Sequence, residues 1–202
     1  MAKARKKAKL AKLPKARRRP KVASEVQLPW RGRHNYVLNS QTVLRDVYRL
    51  LCAVLADGEL AQVARDEHDV LVHLRDQFIE DELVHLLIAT AVMNRSHDDH
   101  MMGPRQDKAE LSFKPVTHAC GTLLPDVDKD VAEEVELTFR EACNKIIHAD
   151  HITAETEQRE DAAFPVLPQT VILRGTQGKK AWQAILNIPD YARATLVNFR
   201  DL

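Results

Sequence analysis

From Glu59 to Ser96 the chain contains neither proline nor glycine. No other stretch restricts the fold so strongly. Its apolar residues, among them Leu60, Val63, Val70, Leu71, Leu74, Phe78, Leu83, Leu86, Leu87 and Val92, recur at helical spacing. One straight helix of that length would exceed ~50 Å at 1.5 Å per residue, long for a domain of this size. A break is therefore predicted, between Arg65 and Asp69 or near Asp76. A preceding helix begins at the N-cap signal Asn39-Ser40, follows Val43, Leu44, Val47, Tyr48, Leu51, Val54 and Leu55, and is predicted to end at Asp57-Gly58. Lone histidines on such helices, here His68, His73 and His85, read as surface or half-buried side chains rather than metal ligands.

Six glycines and 5% aromatic residues in 202 argue against an all-β design, which needs many turns. The 45% apolar and 29% charged content suits a soluble globular protein. No apolar run approaches the ~20 residues of a membrane span. Three cysteines, Cys52, Cys120 and Cys143, read as reduced cytoplasmic thiols, with Cys52 and Cys143 as small core residues on helices.

The net charge of +1 hides a division. Residues 1–21 hold eleven Lys/Arg and no acid, leaving 19 basic against 29 acidic residues in the remainder, a net of −10. Like charges this dense resist packing, so 1–21 reads as a disordered basic arm. Its chemistry suits phosphate contact on RNA or DNA through counterion release; a solubilising tail is the plainer alternative. Residues 22–38 read as a connector with Trp30 and Tyr36 as packing anchors.

A further helix is predicted to open near Asp128, capped by Asp126 or Asp128, and to run to His148. Val131, Val135, Phe139, Ala142, Ile146 and Ile147 would form its buried stripe. Beside it runs a polar row, Arg140, Asn144 and His148. Four residues advance about 400°, so the row drifts only about 40° per step. Glu141 and Lys145 form a supporting i,i+4 pair.

Between these helices, residues 94–125 are irregular. His97-Asp98-Asp99-His100 offers imidazoles and carboxylates, but no matching ligand pair stands elsewhere at a recognisable spacing, so a polar helix end and loop is favoured. Toward the C-terminus, Thr170–Arg174 and Ala181–Asn187 read as two strands of a hairpin, and Pro189-Asp190 as the first turn of a short helix.

Asn144-Lys145-Ile146-Ile147-His148-Ala149 resembles the signature of HEPN domains, all-α proteins common in toxin–antitoxin and antiphage systems. Their motif often reads Arg-Asn-x-x-x-His, and active members are metal-independent RNases whose motifs meet at a dimer interface. Cys143 stands where the family has arginine. Arg140 is the nearest substitute, about 12 Å along the helix axis from His148. The resemblance implies His148 as general acid/base, Asn144 orienting substrate and Arg140 as phosphate contact. It implies either a metal-independent endoribonuclease of stress or phage defence, or a non-catalytic RNA- or protein-binding adaptor.

The fold class predicted is mainly α: a bundle of four to five helices over 39–151, with a C-terminal β-hairpin and short terminal helix over 152–202. No cofactor and no metal are predicted. The expected partners are RNA or DNA, through the arm and the 139–148 helix, and a second copy in a homodimer built around that helix. The expected location is cytoplasmic.

Overall fold

The computed structural model describes residues 39–102, 114–129 and 133–199. The basic arm and the connector with Trp30 and Tyr36 lie outside the described residues. Two long helices come first, α1 (Ser40–Val63) and α2 (Val70–Met101). The Asn39 side chain caps α1 by accepting from the Thr42 amide at 3.3 Å. Gly58 does not stop α1, which runs another turn and more before ending at Ala64; burial of Ala61 in the fold outweighs the helix cost of one glycine, about 1 kcal/mol. The predicted break falls at residues 64–69. Asp69 caps α2, accepting from the amides of Leu71 and Arg65, both at 3.0 Å. These two backbone bonds, Leu71 first, hold its carboxyl below the ordinary value.

The rest departs from the predicted bundle. It is an α+β fold around a five-stranded antiparallel sheet: β1 (Ala119–Leu124), β2 (Val135–Thr138), α3 (Phe139–Ile147), β3 (His151–Thr153), β4 (Thr170–Gln177), β5 (Lys180–Asn187) and α4 (Ile188–Asn198), in strand order β2-β1-β5-β4-β3. The helix expected from Asp128 is half strand. Val135-Glu-Leu-Thr138 pairs with β1, and only Leu137 of the four points into the core. Four residues carry too little pattern to separate the two periods, and pairing decides. The stretch read as irregular supplies β1 itself. Gly121 there is a bulge at φ 139°, where an added Cβ would lie 1.9 Å from the Ile185 carbonyl oxygen of the neighbouring strand. The glycine that looks like a loop signal is what lets the strands approach.

The β4–β5 hairpin forms as expected, in full register from Thr170↔Asn187 to Gln177↔Lys180. It lies in the interior of the sheet: β1 pairs with β5 and β3 with β4, so strands on both sides of residue 151 share one sheet. The chain passes from edge strand β2 to the opposite edge β3 by way of α3. Four strand spacings come to about 19 Å. Nine helical residues cover about 13 Å, and the three that follow close the gap.

Along β5, Trp182, Ala184 and Leu186 are buried while Ile185 is exposed. Arg174 of β4 lies on the outer side, donating to Gln183 and Thr153. The outer face is thus partly solvated, with Ile172 covered, and the inner face packs on Leu86 and Leu87 of α2, Phe139, Ala142 and Ile146 of α3, and Tyr191 of α4. A smaller cluster joins Ala61, Ala64 and Val72 to Phe164 and Val166. α4 begins with proline in its first turn, capped by Asn187, which accepts from the Asp190 amide at 2.9 Å. No helix among the described residues is long and apolar enough to cross a membrane.

Candidate functional site

The three residues of the polar row separate. Asn144 and His148 line one concavity of about 650 Å³ between α3 and the β4–β5 turn. Arg140 does not line it. Its guanidinium donates to Asp99 at 2.7 Å and to Asp98 at 3.4 Å, both on α2. The 40° drift per step accumulates to about 80° across the row, enough to turn its first member toward a different neighbour. Asp98 then fixes the outcome. Its side chain is nearly buried, and burial raises its carboxyl above the ordinary value while the Arg140 charge opposes that rise.

The cavity has its own composition. Lys145 is its cation, 6% exposed, paired with Glu141 at 3.2 Å and lying 4.4 Å above the Trp182 ring. The predicted Glu141–Lys145 pair is therefore present, but as part of the cavity wall. Trp182 can sit beneath because Gly175 faces it across β4–β5: an added Cβ at Gly175 would fall 2.4 Å from the indole ring. Asn144 donates to Glu141 at 3.1 Å. His148 caps α3 through its backbone amide and is exposed, beside Asp150 and Thr176. Glu141 thus accepts from both Asn144 and Lys145, and the cavity carries two carboxylates to one paired cation. That balance repels a phosphate rather than attracting one. Trp182 and Thr176 were not singled out by sequence. The signal available was an aromatic on an inward strand position opposite a glycine.

Cys143, at the position of the motif arginine, is buried in the core, as the helical pattern predicted. Burial foremost, then Asp98, pushes its thiol far above the ordinary range, so it stays protonated and unreactive. Cys120, on β1, is likewise buried and raised to about 12. Cys52 differs from expectation: it is exposed on α1.

The His97–His100 segment is the polar end of α2, as expected. His97 and Asp98 are buried, with His97 stacked 4.6 Å from Phe199. Next to them Asn94 donates to Tyr191 at 3.3 Å and Thr195 at 3.0 Å, Tyr191 donates to Thr90 at 3.1 Å, and Asn198 donates to Asn94 at 3.2 Å. This is a polar seam joining α2 to α4. Among the described residues no group of three His, Cys, Asp or Glu side chains could hold a metal ion.

The chain matches no protein-family model, no curated protein and no solved structure.

Proposed function

We propose that this protein is a nucleic-acid-associated adaptor without nuclease chemistry, acting in the cytoplasm. RNA or DNA is held through residues 1–21, whose eleven cations and absence of acids suit phosphate contact. The observation that carries the non-catalytic half is the separation of Arg140 from Asn144 and His148. A metal-independent ribonuclease needs a cation at the scissile phosphate as well as an acid/base group. Arg140 is neutralised by Asp98 and Asp99, and Lys145 by Glu141.

The test is one incubation of the full chain with single-stranded RNA in chelator, read for cleavage and for affinity across a salt series. The expected result is intact RNA. If six to eight of the cations engage, the log–log salt slope is roughly −4 to −6. Removal of residues 1–21 flattens it. The endoribonuclease reading keeps one feature on its side, the exposed His148 sharing a cavity with Asn144. Metal-free cleavage that disappears in His148→Ala would establish it in place of the adaptor.

A further inference from the structure

We infer that the groove between α1 and the first turns of α2 is the interface of a two-fold homodimer. Apolar surface is open to a partner here, and again between α1 and α4 at Tyr48, Leu55 and Leu196, rather than on α3, whose outward positions are Arg140, Glu141, Asn144 and His148. Val63, Val70, Leu74 and Phe78 are 69%, 76%, 56% and 55% exposed. Leu60 and Leu71 continue the same surface into a concavity of about 560 Å³.

Four side chains of this size, exposed to this degree, leave on the order of 400 Å² of apolar surface in water, the scale of the largest patch on a typical monomer. A standard interface removes roughly 800 Å² per partner, about 56–65% of it apolar. The groove therefore supplies the apolar centre of an interface of ordinary size.

The charges around it point to a second copy. Asp57 and Arg75 are closed on each other, at 2.8 and 3.1 Å, and Glu82 is paired with Arg49. Glu59, exposed in the same lining, adds a carboxylate rather than a cation, so a nucleic acid finds nothing here to recognise. A copy of the same patch brings Asp57 and Glu82 already paired, so two bodies of net −10 outside their arms meet with those two carboxylates neutralised. The architecture agrees. Among the described residues, α1 and α2 form a helical hairpin with one side on the core and the other uncovered, and two such hairpins face to face make a four-helix bundle. The inference is independent of the nucleic-acid reading, and dimerisation would join two basic arms in one particle.

The experiment is sedimentation equilibrium of the nuclease-treated full chain at high salt, over a wide concentration range. The expected result is a reversible monomer–dimer equilibrium. Leu74→Glu and, from the other helix, Val63→Glu each weaken it at least about tenfold. Leu196→Glu, an exposed apolar position of α4 outside this groove, leaves it unchanged. Circular dichroism and melting temperature check that each variant is folded. A chain monomeric at every concentration overturns the inference, as does a dimer indifferent to both groove variants.

Discussion

The two halves of α2 invert the usual relation between polarity and burial. In its first turns Val70, Leu74 and Phe78 face water; in its last turns Thr90, Asn94, His97 and Asp98 are buried. The early half is attached by Val72 in the smaller apolar cluster and by a buried ion pair, Arg75 to Asp57, with Arg75 also 4.8 Å over the Phe164 ring. The late half is attached by Leu86, Leu87 and Ala91 in the core and by hydrogen bonds to α4. A buried polar seam makes packing specific, because each member needs its partner. An exposed apolar row leaves a surface to be covered. One helix thus serves the interior of the fold at one end and its exterior at the other.

The contrast can be broken at either end. The largest effect is expected for Asp57→Ala. Asp57 is almost fully buried and also accepts from the Leu167 amide at 2.7 Å, so its loss leaves the buried part of Arg75 to its exposed neighbour Asp76 and strands a backbone donor. A loss of about 3–5 kcal/mol in denaturant unfolding is predicted. Asn94→Ala comes next. It leaves the Thr195, Tyr191 and Asn198 groups short of partners, for about 2–4 kcal/mol. Asn94→Ala should leave self-association intact, since it lies away from the groove.

A smaller effect appears with pH. Burial, the first cause, lowers the His97 imidazole below its usual 6.5. The unfolded chain then binds the proton more readily, so stability falls as pH drops from 6.5 through the lowered value. Asp98 acts in the opposite direction at lower pH: its raised carboxyl makes the folded state the better proton acceptor above 3.8. His97→Gln should flatten the fall in melting temperature on mild acidification. The smallest effect on stability, within about 0.5 kcal/mol, is expected for Leu74→Glu, whose consequence lies in association instead.

The helical hairpin was legible in the sequence because its signals are local: Asn39 and Asp69 cap, and a proline-free periodic run spans the rest. The β4–β5 hairpin was legible for the same reason. The sheet around it was not. β1, β2 and β3 hold six, four and three residues, too few to show a period, β1 depends on pairing with the distant β5, and Gly121 in β1 carries the mark of a loop. At the candidate site, periodicity correctly set Asn144 near His148. It could not show that Asp98 and Asp99, more than forty residues away, draw Arg140 off the row. Nor could it distinguish Val70 and Leu74 from core residues, since an apolar row at helical spacing looks the same whether the fold or a partner covers it.

Amide hydrogen exchange along α2 as a function of protein concentration tests the contrast most directly. Exchange reports local opening, and association through the groove closes only one half. Protection of residues 70–80 should rise with concentration, while residues 90–98 stay equally protected throughout. Protection of 70–80 that does not respond to concentration, or that rises in step with 90–98, would contradict the account.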